Sequence, residues 1–115
     1  MIKGYSFGKM DINGKIYKKD LIIGKDKIYE SWRREKGHLL QLKDMETILS
    51  LNPDIIIVGQ GFFGMMKISK EVIDKLEKSG IEYYFEKSGK AVKLYNRLLK
   101  EKPEKNIIAS FHLTC

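Results

Sequence analysis

Hydrophobic and polar residues alternate along this chain in two different rhythms, and the change falls near Gly37-His38. Before that point the apolar residues come in short, half-polar runs. Asn13-Gly14 separates residues 7–12 from residues 15–17, and an Asn-Gly pair favours the positive-φ backbone of a two-residue hairpin turn. Two further short strands are expected at residues 21–23 and 28–32, joined by the polar turn 24–27. Residues 1–36 thus read as an antiparallel β meander with one face on the core and the other partly exposed.

After Gly37-His38 the period lengthens. Leu42, Met45, Ile48 and Leu49 fall at helical spacing, and Asp44 is placed to favour a helix N-terminus. Asn52-Pro53 ends that helix, because the residue before a proline is pushed out of the α region. Ile55, Ile56, Ile57 and Val58 form a wholly apolar run of strand length, the pattern of a strand covered on both faces. A glycine-rich loop, residues 59–67, leads to a helix over 69–79, with Ser69 as N-cap and Gly80 as a left-handed C-cap. Its buried stripe is Val72, Ile73 and Leu76. Residues 81–85 are the next strand. Ser88 can cap a last helix that carries Ala91, Leu94, Tyr95, Leu98 and Leu99 on one face. Pro103 follows, and residues 106–113 close the chain as a strand. Residues 40–115 are therefore an αβαβαβ unit, which builds a parallel core with right-handed crossovers. The N-terminal strands should extend or cap its sheet, giving one α/β domain over residues 1–115.

Composition narrows the class of protein. At 115 residues and 43% hydrophobic, the chain can bury one core and hardly two. Its one cysteine is Cys115, so no disulfide joins two points of the chain, which suits a reducing compartment such as the cytoplasm. No apolar run follows the positive charge near Met1, so a signal peptide is not expected. The longest aliphatic run, residues 55–58, is far short of the roughly 20 needed to span a bilayer, and no membrane association is expected. The formal net charge of +7 raises the question of nucleic acid. Most of it is lysine interleaved with acidic residues, a general solubility device also favoured at high temperature. Arginine, the better phosphate fork, occurs only at positions 33, 34 and 97, so a solvated basic surface is the preferred reading.

Candidate chemistry is sparse. Gly59, Gly61 and Gly64 make a G-x-G-x-x-G directly after a strand, with Glu86 near the end of the next strand, where a ribose-binding acid would sit. In a dinucleotide site, however, the glycines open the helix whose amides face the pyrophosphate. Here residues 65–68 intervene, and Phe62 and Phe63 crowd the place where phosphate must approach the backbone. A shaped loop is the better reading, and no cofactor is expected. The stretch from Trp32 through Arg33 and Arg34 to His38 is the most heavily functionalised segment. It can be read equally as an anion or aromatic-ligand site, or as a core tryptophan with surface-paired arginines. His112 and Cys115 differ by an odd offset, which on an extended strand sends them to opposite faces and makes a poor metal pair or catalytic dyad. No metal site is expected. The chain has no H-x-x-x-H, C-x-x-C, G-x-S-x-G or phosphate-loop lysine.

Four stretches taken together resemble a known family. They are Trp32-Arg33-Arg34 with Gly37-His38; Ile56-Ile57-Val58-Gly59 with Gly61 and Gly64; Gly89 through Asn96; and His112-Leu113-Thr114-Cys115. Their order and content are similar to those of the family that includes the human adipogenesis-associated domain-containing protein and a mitochondrial respiratory complex I assembly factor. The resemblance covers nearly the whole chain. It implies a layered α/β domain with a central mixed sheet, flanking helices and an additional N-terminal antiparallel β layer. It implies no reaction, and the assembly or regulatory roles described for the eukaryotic relatives point to partner binding. Gln60 stands where many members have threonine, and Lys87-Ser88 where many have Pro-Thr.

Two functional readings follow. In the first, the chain is a non-enzymatic interaction or assembly domain, binding a protein partner or a second copy of itself. Its binding face would be made of Trp32, Arg33, Arg34, His38, Gly59, Gly61, Phe62, Phe63, Gly64 and His112, since adjacent aromatics in a loop are expensive to expose unless something covers them. In the second, it is a small-molecule enzyme. The loop after Val58 would then hold the ligand, Arg33 or Arg34 a carboxylate or phosphate, and His38 would act as acid or base.

Overall fold

A computed structural model describes all residues, 1–115. The Asn13-Gly14 turn forms as its chemistry dictates, with φ of 51° and 94° at the two residues. It joins β2 (Lys9–Ile12) to β3 (Lys15–Tyr17). The preceding strand differs from expectation. Phe7 is not its first residue but part of a second turn, where Gly8 takes φ 80° and reverses the chain. This adds β1 (Ile2–Ser6), antiparallel to β2, and the three strands form a separate small sheet in the order β1-β2-β3.

The main sheet has five strands in the order β5-β4-β10-β7-β9. β4 (Leu21–Ile23) and β5 (Ile28–Tyr29) come from the meander, and β4 runs antiparallel to β10 (Ile107–His112). β10, β7 (Ile55–Gln60) and β9 (Glu82–Glu86) run parallel. The N-terminal strands thus both extend the sheet and, through β1–β3, form the layer beside it. β5 is shorter than the sequence suggests. Ser31 turns at φ 59°, and the Trp32 amide donates to the Asp20 carbonyl at 2.7 Å, folding the tryptophan back onto the sheet.

The parallel pairing explains the two faces of β7. Ile55 and Ile57 pack with β10, β4 and α3 (Ser88–Glu101) through Ala91, Tyr95 and Leu98, while Ile2, Met10, Ile12 and Tyr17 of the small sheet complete that cluster. Ile56 and Val58 face the other way, against Leu40, Met45, Ile48 and, from α2 (Lys70–Ser79), Val72 and Leu76. Each covered aliphatic side chain of this kind contributes roughly 1.5–3 kcal/mol, so β7, with the central strand β10 beside it, holds the two faces of the core together. Asn96 on α3 fastens the small sheet by exchanging both hydrogen bonds with the Ile2 backbone, at 3.0 and 2.7 Å.

Three helix expectations need correction. The segment after His38 holds a one-turn 3₁₀ helix (Leu42–Met45) running into the short α1 (Glu46–Ser50), and Asp44 supports its start as its position implies. Its carboxylate accepts from the Gln41 amide at 2.8 Å, and its carbonyl accepts from the Trp32 indole at 3.2 Å. Ser69 does hold the N-cap position of α2, but its buried hydroxyl makes no capping hydrogen bond. Ser88 is not a cap either; Lys87 holds that position, and the Ser88 side chain points into the protein. The glycine-rich loop also contains a strand, β8 (Lys67–Ile68), paired in parallel with β6 (Leu39–Leu40). Gly80 ends α2 in the left-handed conformation its sequence position implies.

Candidate functional site

Parallel strands deliver their carboxyl ends to one edge of the sheet, where α/β folds place ligands. At this edge lie His112 at the end of β10 and Gly59 and Gln60 at the end of β7. Asp20 enters the same edge because Leu21, which follows it, pairs with Phe111.

Asp20 organises the cluster. Its Oδ2 accepts from an Arg34 guanidinium nitrogen at 2.7 Å and lies 2.8 Å from His112 Nδ1, while Oδ1 accepts the Leu113 amide at 2.8 Å. Arg34 also donates from Nε and the same Nη2 to the Gly37 carbonyl, at 3.3 and 3.1 Å, and its guanidinium lies 4.7 Å from the centre of the Trp32 ring. The Arg34 side chain is only 4% exposed. Two nitrogens in the cluster, Arg34 Nη1 and His112 Nε2, are buried without a polar partner. Burial by itself would raise the Asp20 carboxyl. The hydrogen bonds from His112, Leu113 and Arg34 outweigh it and hold the group below the usual carboxylate range. Nearby, burial pushes the Tyr5 hydroxyl up to about 12, offset in part by Ser88 and reinforced by the Asp20 charge. Tyr5 remains a donor, 2.7 Å from the Leu113 carbonyl.

A dependence on acid follows. A carboxyl depressed in the folded state adds stability that is fully present above its unfolded value, about 3.9, and is lost as pH falls through the folded value. The parent should therefore lose more stability than Asp20→Asn between about pH 5 and pH 2, as read by denaturant titration at each pH. Equal losses would mean that Asp20 gains nothing from its partners.

The glycine loop is tied into the same edge. Gly59 has no room for a side chain: a Cβ there would lie 2.7 Å from both the Phe111 ring and the Ser88 hydroxyl. The Ser88 hydroxyl accepts from the Gly61 amide at 2.9 Å and donates to the His112 carbonyl at 2.6 Å, bridging the loop and β10. The other loop amides are also engaged: Phe62 donates to Thr114, Gly64 to Gly61, Met65 to Cys115 and Met66 to Gln60. Among residues 61–66 this leaves Phe63 as the sole amide without an internal acceptor, so the loop is no cradle for a pyrophosphate.

What the loop presents is aromatic. Phe62 and Phe63 pack edge to face at 5.0 Å, and Phe7 from the β1–β2 turn meets them at 5.8 and 6.1 Å. With Met65 they form an apolar plateau whose members remain 44–60% exposed. Exposed lysines flank it: Lys9 two residues after Phe7, Lys67 two after Met65, and Lys87, whose stem lies against Gly64.

The sequence candidates are thus partly reunited. Arg34, His112, Gly59 and Gly61 share the buried edge, and the exposed His38 ring sits against His112 at 5.7 Å between centres. Trp32 belongs to the core. Arg33, its neighbour, is exposed and lines a separate open cavity of about 420 Å³ with Lys43 and Glu46. Phe62, Phe63 and Gly64 form the surface layer. Sequence reasoning missed Asp20, Ser88, Phe7 and Met65. Only Phe7 carried a local signal, an aromatic directly before a turn glycine. No helix is long and apolar enough to cross a membrane, and no group of three His, Cys, Asp or Glu side chains is arranged to hold a metal.

A family described as a protein of unknown function, DUF498/DUF598, matches residues 2–112. A conserved hypothetical protein of Pyrococcus horikoshii has a similar structure, at 27% identity and TM-score 0.80, covering 100% of this chain and 99% of that one. A Xanthomonas campestris protein aligns at 22% identity and TM-score 0.84, over 98% and 83% of the two chains. A Bordetella pertussis protein described as an Mth938-like domain aligns at 12% and TM-score 0.64, over 98% and 85%. The last two likenesses show the fold alone.

Proposed function

The chain belongs to the DUF498/DUF598 family of proteins of unknown function, and from that premise we propose that it is a non-enzymatic protein-interaction domain of the assembly or regulatory kind. The observation that carries this reading is the plateau of Phe7, Phe62, Phe63 and Met65. Large apolar side chains grouped on a surface are the usual core of a protein interface. The likeness of the sequence motifs to the human adipogenesis-associated domain-containing protein and the complex I assembly factor supports the same role. The lone cysteine and the lysine-rich surface support a cytoplasmic setting.

The enzyme reading has less support. Arg34 already has its carboxylate in Asp20 and turns Nε and Nη2 to Gly37, so most of its guanidinium is spent as an internal brace, with only the buried Nη1 unpaired. His38 has no hydrogen-bonded group to set its ring as an acid or base.

The test is affinity capture from native cells with the parent and with Phe62→Ser/Phe63→Ser. A stoichiometric protein held by the parent and lost by the variant is the expected result. Because both rings are exposed, the variant should melt within a few degrees of the parent. Identical retained proteins for both baits would remove this face from consideration.

A further inference from the structure

We infer that the plateau accepts an acidic amphipathic segment of a partner protein, one that sets apolar side chains against the three phenylalanines and carboxylates against the lysine rim. The inference rests on the interaction reading above and specifies its partner.

The plateau is preorganised. Gly61 and Gly64 adopt φ of 103° and 71°, and Gly8 adopts 80°. Gly8 donates to the Leu113 carbonyl at 2.9 Å, Phe62 to Thr114 at 2.7 Å and Met65 to Cys115 at 3.0 Å. Two turns are thereby fastened to the same three-residue tail, so little ordering remains to be done on binding. Met65 adds an adaptable side chain at the margin, and methionine suits apolar partners of varied shape.

Charge selects the partner. The segments that build the face, residues 5–9, 60–68 and 112–115, contain Lys9 and Lys67 and no acidic side chain, and Lys87 stands at their edge. Of the acids nearest along the chain, Asp11 lies beside Lys9 and accepts the Gly14 amide at 2.9 Å, Glu86 is paired with Lys90 at 3.7 Å, and Asp20 is turned inward. A second copy would bring lysine against lysine on a molecule of net charge +7, so like charge disfavours self-association through this face. A lipid surface is the other anionic candidate. The rings pack on one another at 5.0 and 5.8 Å and are 44–60% exposed, and binding to anionic vesicles is the outcome that would assign the face to lipid instead.

The experiment selects a random-peptide display library on the full-length chain, with Phe62→Ser/Phe63→Ser as the counter-selection. The enriched peptides should be net acidic and carry aromatic or aliphatic residues at helical or alternating spacing. A representative should bind the parent saturably and lose about tenfold in affinity with Lys67→Glu/Lys87→Glu, which reverses two rim charges. Neutral or basic enriched peptides would overturn the inference, as would charge reversal without effect or no enrichment that depends on the phenylalanines. So would co-sedimentation with phosphatidylserine vesicles that the phenylalanine variant abolishes, or a concentration-dependent dimer that it dissolves. A captured partner that needs the phenylalanines but docks through a non-acidic segment would sink this inference and leave the interaction reading standing. Capture of nothing that depends on the phenylalanines would sink both.

Discussion

Asp20→Asn is expected to lower the stability of the folded chain by about 3–5 kcal/mol, with a fall in melting temperature on the order of 10–20 °C. The asparagine side chain fits the same space and can still accept the Leu113 amide. It cannot neutralise Arg34, whose side chain is 4% exposed and stacked on Trp32. A buried guanidinium without its carboxylate is far worse than a buried pair, because the desolvation remains and the attraction is gone. Adding Arg34→Met should return much of the loss, since the orphaned charge is removed and an aliphatic chain of similar length remains beside the indole. Denaturant unfolding of the parent, both single variants and the double variant forms a cycle that measures the coupling. A single-variant loss under about 1 kcal/mol would mean that Arg34 finds water in solution and that the pair is a surface feature.

Gly61→Ala should be comparably damaging for a different reason. Gly61 sits at φ 103°, and a Cβ there would lie 2.3 Å from the Cys115 carbonyl carbon, 2.4 Å from its oxygen and 2.9 Å from the His112 ring. Two of these atoms are backbone, so a change of rotamer cannot clear the contact. Strained backbone typically costs about 1–3 kcal/mol and overpacking a further 1–3, which together place the loss near 3 kcal/mol or more. The tail would have to leave, taking with it the carbonyls that hold the Phe62 and Met65 amides. The variant should therefore expose residues 61–65 to rapid amide hydrogen exchange while β7 stays protected. Gly14→Ala makes the contrast, because its positive φ of 94° carries strain but nothing lies within 4 Å of the added carbon. If Gly61→Ala melts no lower than Gly14→Ala, the tail does not hold the loop in solution.

The central architecture was legible in the sequence because each of its elements has a local cause. The Asn13-Gly14 hairpin, the apolar run of β7, the stripe of α3 and the left-handed Gly80 are set by backbone preference and by the periodicity of burial. Errors arose where a local preference had a distant competitor. Ser88 has the residue type of a helix cap, but residue type cannot reveal that His112 and Gly61 wait on either side of its hydroxyl. Asp44, by contrast, supports a helix start as its position implied, its carboxylate accepting the Gln41 amide at the N-cap. Phe7 looked like strand, and the glycine after it made a corner.

The candidate face divides in the same way. Arg34, His112, Gly59, Gly61, Phe62 and Phe63 could be singled out from the sequence because arginine is scarce, glycines cluster after a strand, and paired aromatics in a loop call for an explanation. Nothing in the sequence told Arg33 from Arg34, although one is solvated and the other forms the brace of the interior. Asp20 lies among lysines at the start of a strand, with no motif around it, and 92 residues separate it from His112. The sequence by itself determined the elements, the buried faces and the supply of aromatics and lysines, since these depend on neighbours a few positions apart. Only the tertiary structure decided which acid meets which base and which phenylalanines share a surface. Those pairings are made by strand register and by a tail that crosses two turns, and both exist only once the sheet has closed.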